Sequence, residues 1–181
     1  MEKAPEQLIR DARRGKEEAL LRLFDDHHFP LFRFAWRLTG SIADAEDIVQ
    51  DCFLALLKPD CGYDAGRTTV RTYLFGVVRN QSLKRLRRRE QGIAPEPTHH
   101  RTPETEALRG EVTGAVASAI AALPDTQREI LLLAHYEQLP LAEIAEITQL
   151  EIGAVKSRLQ RARVTLRETL AAYAPRTERV L

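Results

Sequence analysis

Lys156, Arg158, Arg161 and Arg163 fall in one short run, and no acid stands between Gly153 and Arg167. Cations repeated along such a run suit the phosphates of a nucleic acid backbone. The residues at its start are small (Gly153, Ala154, Ser157), which lets a backbone approach a groove wall. An ordinary amphipathic surface helix is the competing reading, and what precedes the run weakens it. In LAEIAEIT, Leu141, Ile144, Ala145 and Thr148 recur at helical spacing. After a break at Gln149, Leu150 and Glu151, a second periodic face follows with Ile152, Val155, Leu159, Ala162 and Leu166. A short helix, a tight turn and a basic second helix form the helix-turn-helix pattern. If the second helix enters the groove by its N-terminus, Lys156 and Arg158 are the candidates for base edges, with Ala154 and Ser157 pressing close. Arg161 and Arg163, further along, are the candidates for phosphates.

Two other clusters carry charge. From about Thr69 to Arg88 a helical pattern turns inward through Val70, Tyr73, Leu74, Val77 and Val78, and its latter part is basic: Arg79, Lys84, Arg85, Arg87, Arg88 and Arg89, with Glu90 the first acid. Aromatic, hydroxyl and amide residues accompany the cations (Tyr63, Thr68, Thr69, Tyr73, Asn80, Gln81), the ingredients for gripping unpaired bases. The opposite sign appears between Ser41 and Leu57, a stretch without a cation. There Asp44, Glu46, Asp47, Gln50 and Asp51 lie off an apolar stripe of Ala45, Ile48, Val49, Cys52, Phe53, Leu56 and Leu57. Like charges at helical spacings of three and four repel by a few tenths of a kcal/mol per pair. A solvated face is the plain reading. An acidic ledge within a DNA-binding protein instead suggests a protein partner with a basic surface. Catalysis by paired carboxylates has no nucleophile, metal site or phosphate loop to support it.

The elements that must position these clusters are helical almost throughout, so the expected class is all-α. With 181 residues, a net charge of +1 and 44% hydrophobic residues, the chain has enough apolar content for packed cores. Residues 5–14 read as a first helix opened at Pro5 and closed by Gly15. A longer helix follows, with Leu20, Leu23, Phe24, His27, Leu31, Phe34, Ala35 and Leu38 in register. Pro30 is expected to kink or split it. Ser41 with Asp44 is a capping-box start, and Lys58–Arg67 is a turn-rich break. Gln91–Thr105, polar and with three prolines, reads as a flexible linker. The expected organisation is two small helical domains, 1–90 and 106–172, joined by residues 91–105 and followed by a tail, 173–181. The second domain ends in the helix-turn-helix.

Two cysteines make no disulfide framework: Cys52 reads as core and Cys61 as a loop thiol. The histidines form two adjacent pairs and a singleton without cysteines at zinc-finger spacing, so neither metal nor cofactor is expected. The N-terminus has no apolar signal region, and the longest uncharged stretch, Val112–Pro124, is too short to span a bilayer. A cytoplasmic protein without membrane insertion is the expectation.

In order along the chain, SIADAEDIVQDCFLALL, VRTYLFGVVRNQSLKRLRRR and LPDTQREILLLAHYEQLPLAEIAEITQLEIGAVKSRLQRARVTLRETL resemble a bacterial sigma factor of the small, two-domain extracytoplasmic-function group. The resemblance implies a protein that binds core RNA polymerase and directs it to promoters, with no enzymatic activity of its own. It implies docking of Asp44, Glu46, Asp47, Gln50 and Asp51 on the clamp helices of the largest polymerase subunit, with the flap region as a further contact. It assigns recognition and melting of the −10 element to Tyr63, Arg67, Thr69, Arg71, Tyr73, Asn80, Lys84, Arg85, Arg87 and Arg88, with Asn80 near a flipped base. Reading of the −35 element falls to Gly153, Ala154, Lys156, Ser157, Arg158, Arg161 and Arg163. Opening a duplex by base capture costs a few kcal/mol of unstacking, which is why polymerase contacts are needed beside the protein's own cations.

Several residues depart from the family's usual pattern. Tyr73 stands where tryptophan is common, Lys84 where an acid is common, and Gln149 replaces a frequent glycine in the turn. Gln149 costs up to about 1 kcal/mol if the site is left-handed. Pro140 and Glu151 take the places of helix caps, and a Glu151 carboxylate could satisfy amides at the helix start while repelling phosphates. No sensor domain is expected after Leu170, so control is expected from a separate anti-sigma factor. Two other readings use the same residues: a helix-turn-helix regulator that binds duplex DNA without polymerase-directed melting, and an interaction protein descended from a sigma factor. The acidic helix and the aromatic-basic segment favour the sigma factor, because a plain regulator needs neither.

Overall fold

A computed structural model describes residues 5–93 and 111–173; most of the expected linker and tail lie outside the described residues. Eight α-helices and no strand occur among them. Helix α1 (Pro5–Arg13) begins on proline, whose fixed φ suits a first turn, and the chain reverses at Gly15 with φ of 81°. Helix α2 (Glu17–Thr39) runs through Pro30 without a break. The expected split does not occur, because Leu23, Leu31, Phe34 and Leu38 on both sides of the proline are buried in one core. That burial offsets the hydrogen bond that Pro30 cannot make. Gly40 ends α2 in the left-handed conformation, φ 71°, its N–H bonded to the Trp36 carbonyl.

Helix α3 (Ile42–Leu57) starts as expected, with Ser41 Oγ accepting from the Asp44 amide at 3.2 Å. Helix α4 (Val70–Glu90) starts on Thr69, whose Oγ1 accepts from the Thr72 amide at 3.1 Å. Together α1–α4 enclose Phe34, Ile48, Cys52, Leu56, Leu74 and Val78. The Phe34 and Phe75 rings meet edge-on at 5.5 Å, a favoured aromatic geometry. Phe75 is thus a core residue that the inward stripe of α4 did not include.

Helices α5 (Glu111–Ala121) and α6 (Asp125–Leu131) follow; α6 widens into a π-helical turn at Leu132–Tyr136. Then come α7 (Leu141–Thr148) and α8 (Ile152–Thr169). Ile130, Leu132, Leu133, Ile144, Val155 and Ala162 fill the core of this second group. Two residues of the expected stripes are corrected. Ile152 is 44% exposed, because it is the first residue of α8 and the buried face begins a turn later at Val155. Phe24, 38% exposed, lies at the rim between α2 and α3, stacked on His28 at 4.3 Å and 5.2 Å from Phe53.

The two helix groups are in contact. Helix α4 packs on α7, and α2 packs on the π-helical turn, so the buried hydrophobic residues form one continuous cluster. Among the described residues no helix is long and apolar enough to cross a membrane.

Candidate nucleic-acid interface

The turn between α7 and α8 is made by Gln149 at φ 56°, ψ 40°, a left-handed conformation in a residue with a Cβ. Its side chain compensates in part, with Nε2 donating to the Glu146 carbonyl at 2.7 Å. The Leu150 amide bonds back to the Ala145 carbonyl at 3.0 Å, closing the turn. Glu151 is the N-cap of α8, and its carboxylate makes no capping bond, so the expected satisfaction of helix-start amides by that side chain does not occur. Pro140 likewise begins α7 without a side-chain cap.

Burial of Val155, Leu159 and Ala162 fixes the rotation of α8 about its axis. At 100° per residue the opposite face carries Gly153, Lys156, Ser157 and Arg161, all exposed, with Ala154 and Arg158 half-buried at its edges. Arg161 Nη2 donates to Ser157 Oγ at 3.0 Å, one turn back. Arg163, also exposed, donates through Nε to His135 Nε2 at 3.3 Å.

In the first helix group the acidic residues separate into two sets. Asp44 is an internal clasp between α3 and α4: its Oδ1 accepts from Arg85 Nη1 at 3.1 Å, and Arg89 Nη2 reaches Oδ2. Arg89 also donates to the Thr39 carbonyl at 2.7 Å, tying the end of α2 to the same point. Asp47 touches Arg85 only at 3.7 Å and is largely exposed, as are Glu46, Gln50 and Asp51. Beside them an apolar groove between α2 and α3 exposes Leu21, Phe24 and Leu54.

The residues expected around α4 also divide. Thr69 caps the helix, and Arg85 is held by Asp44. Tyr63 and Tyr73 pack edge-on at 5.4 Å, and Tyr73 Oη donates to the Cys61 carbonyl at 2.5 Å. Burial pushes the Tyr73 phenol up to about 12, with the neighbouring Cys61 adding to the rise. These aromatics fasten the 61–73 segment to α4. Arg67, Asn80, Lys84, Arg87 and Arg88 remain exposed, and Asn80 Oδ1 accepts from Arg79 Nη1 at 3.3 Å.

Contacts between the two helix groups were not visible in the sequence pattern, and one of them holds Arg71, a residue expected at the −10 element. Arg71 Nη2 donates to the Glu137 carbonyl at 2.6 Å, and Thr72 Oγ1 to Glu143 Oε2 at 2.9 Å. Arg33 grips the Glu137 carboxylate from Nε at 3.0 Å and Nη2 at 2.7 Å. Nearby, His27 is held below the usual imidazole range by burial, against the opposing pull of Asp26. The one sequence signal for the acceptors was an acid within or beside the apolar run of REILLLAHYE, at Glu129 and Glu137.

Comparison with known proteins decides the family. The Sigma-70 region 2 model matches residues 23–91, and the Sigma-70 region 4 model matches residues 113–166. The ECF RNA polymerase sigma factor SigL of Mycobacterium tuberculosis is 36% identical over 85% of this chain and 90% of its own. The chain belongs to the extracytoplasmic-function sigma factors. SigW of Bacillus subtilis, another ECF RNA polymerase sigma factor, is 25% identical over 94% of this chain and 98% of its own. The sigma factor RpoE of Bartonella quintana, solved in complex with the anti-sigma factor NepR, is 27% identical with a TM-score of 0.65. That likeness covers 87% of this chain and 98% of RpoE.

This sigma factor directs RNA polymerase to promoters and belongs to a family that is not enzymatic. Region 2 comprises most of α2 together with α3 and α4. Region 4 runs from α5 into α8 and contains the helix-turn-helix through which the protein binds DNA.

Proposed function

We propose that the sigma factor divides its surfaces among polymerase, the −10 element and the −35 element. The observation that carries this reading is the segregation of exposed charge: acids on α3, cations on α4 and α8. Glu46, Asp47, Gln50 and Asp51 form the ledge that docks on the basic clamp helices of the largest polymerase subunit. The apolar groove beside them adds area to that dock. Asp44 contributes by holding α4 against α3.

Arg67, Asn80, Lys84, Arg87 and Arg88 face the −10 region, with Asn80 next to the captured base. Tyr63, Thr69, Tyr73 and Arg85 hold that surface in shape, and Arg71 joins it when released from Glu137. On α8, Lys156 and Arg158 read base edges of the −35 element beside Gly153, Ala154 and Ser157, while Arg161 and Arg163 hold phosphates. A second apolar groove lined by Val116, Ile120, Leu166, Leu170 and Tyr173 suits the polymerase flap. The domain limits are 1–90 and 106–172. By similarity to the RpoE–NepR complex, an anti-sigma factor holds the protein inactive in the cytoplasm.

The test is direct binding to core polymerase. Asp47→Lys combined with Asp51→Lys reverses two exposed charges away from the core. Charge pairs across interfaces carry about 1.5–7 kcal/mol of coupling, so affinity should fall by tenfold or more with an unchanged circular dichroism spectrum. Unaltered affinity at physiological salt removes the docking role from this ledge.

A further inference from the structure

We infer that Arg13 is a positioning residue of the −10 reader, tying α1 to the end of α3 and to Cys61 and so setting where the 58–69 loop holds Arg67 against DNA. The inference rests on the assignment of Arg67 and the exposed face of α4 to the −10 element. Helix α1 itself lies outside the matched region 2 residues, which begin at 23.

Arg13 reaches across more than 40 positions of sequence to two acceptors. Its Nε and Nη2 donate to the Leu56 carbonyl at 3.2 and 3.1 Å, and Nη2 also donates to Cys61 Sγ at 2.8 Å. Leu56 belongs to the last turn of α3, where carbonyls lack partners within the helix and the dipole favours a cation. That turn has no basic residue of its own, so Arg13 supplies the charge from another helix. Helix α1 does not need these bonds to stay in place, because Leu8, Ile9 and Ala12 bury its apolar face in the core.

The loop beyond α3 consists of two tight pieces and a joint. In the first piece the Lys58 amide bonds to the Ala55 carbonyl at 3.1 Å and the Cys61 amide to the Lys58 carbonyl at 3.3 Å. In the second, Asp64 closes a turn: its Oδ1 accepts from the Gly66 amide at 2.9 Å, and its carbonyl accepts from the amides of Arg67 at 3.1 Å and Thr68 at 3.2 Å. Between them stands Gly62 with φ of 78°, a left-handed conformation that glycine adopts without strain. Several anchors converge on Cys61 beside this joint. Arg13 holds its sulfur, the Tyr63 amide donates to the same sulfur at 3.4 Å, and Tyr73 Oη donates to its carbonyl. Fixing the joint fixes the second piece, which carries the exposed Arg67 and leads to Thr69, the cap of α4.

Arg13 is itself exposed, so a direct phosphate contact is the competing role. The two roles differ in what a lysine can replace. An ammonium keeps the charge but lacks the planar fork that reaches a helix carbonyl and a sulfur together. They differ also in which DNA they affect. Capture of a base tolerates little displacement of the groups around it, whereas a phosphate contact is indifferent to sequence.

The test measures open-complex formation by the full chain with core polymerase, on a duplex selected from a random library by the wild-type holoenzyme and on copies with substituted −10 bases. Arg13→Gln is expected to slow opening of the selected duplex about tenfold and that of the substituted ones much less, so that discrimination narrows. Arg13→Lys is expected to behave like Arg13→Gln, and it decides alone if Arg13→Gln fails to fold. Core affinity, helical circular dichroism and salt slope are expected to stay at wild-type values in both. Equal losses on every duplex, full activity with lysine, or a salt slope lower by about one unit in Arg13→Gln overturns the positioning role, the last two marking a phosphate contact. Arg67→Ala and Asn80→Ala report separately on the surface assignment. If both leave opening unchanged, that assignment falls and the positioning role falls with it. If they impair opening while Arg13→Gln does not, the positioning role alone falls.

Discussion

Arg79 meets Glu129 through two hydrogen bonds, Nε to Oε2 at 2.7 Å and Nη2 to Oε1 at 3.0 Å, across 50 positions of sequence and between regions 2 and 4. The Glu129 side chain is only 1% exposed, so this guanidinium stands in for the water that the carboxylate has lost. Arg79→Met keeps most of the side-chain stem and strands the carboxylate. A loss of up to about 3 kcal/mol is expected in urea unfolding, with opening of the units able to relieve part of it. The paired change Arg79→Met/Glu129→Met should recover much of that loss, because an apolar pair leaves no charge behind.

Alkaline pH should weaken the fold through Cys52. Burial raises its thiol from 9.0 to about 12, so the folded state keeps a proton that the unfolded chain gives up. The contribution is fully present below pH 9 and is lost progressively between about pH 9 and 12, since the unfolded state binds fewer protons there. Tyr73, raised to about 12 in the same direction, adds to the loss above pH 10. The urea midpoint of Cys52→Ala should accordingly fall less between pH 7 and pH 10 than that of wild type. Parallel declines in the two proteins would mean that another group controls alkaline stability.

The helix-turn-helix turn carries two opposed effects at one residue. Gln149→Gly removes the left-handed strain, about 1 kcal/mol, and also removes the bond to the Glu146 carbonyl, which is exposed and worth less. Net stabilisation of a few tenths of a kcal/mol is expected. Gln149→Ala keeps the strain and loses the bond, so it should be the least stable of the three. A thermal melt of each protein gives the order.

On α8, base reading and phosphate holding should separate by salt. Arg161→Ala and Arg163→Ala are expected to weaken binding about equally on all DNA sequences and to reduce the salt slope by roughly one unit each. Lys156→Ala and Arg158→Ala should instead cost about 1–3 kcal/mol on the best site and much less elsewhere. Salt titrations of the full chain on one good duplex and several mutated ones distinguish them. A change of preferred site with Arg163→Ala means that the helix enters the groove from its other end.

The sequence by itself determined the helical class, the order of the helices and the two groups they form. Those features rest on local rules: Ser41 and Thr69 as caps, Gly15 and Gly40 as stops, and apolar residues recurring at helical spacing. It also supplied the helix-turn-helix, because the motif is contiguous and its buried face, Val155, Leu159 and Ala162, repeats within one helix. Tertiary structure alone decided which charged residues are spent on each other. Asp44 and Arg85 have the signs expected of a protein-docking acid and a DNA-facing cation, yet they neutralise one another across 41 positions. Arg33, Arg79, Glu129 and Glu137 carried no periodic signal, because an ion pair between distant segments obeys no local spacing. Pro30 marks the same boundary: its ring predicts a break, and burial of Leu23, Leu31 and Phe34 around it keeps α2 whole. Local chemistry set what each segment could form, and long-range burial selected which of those possibilities stand.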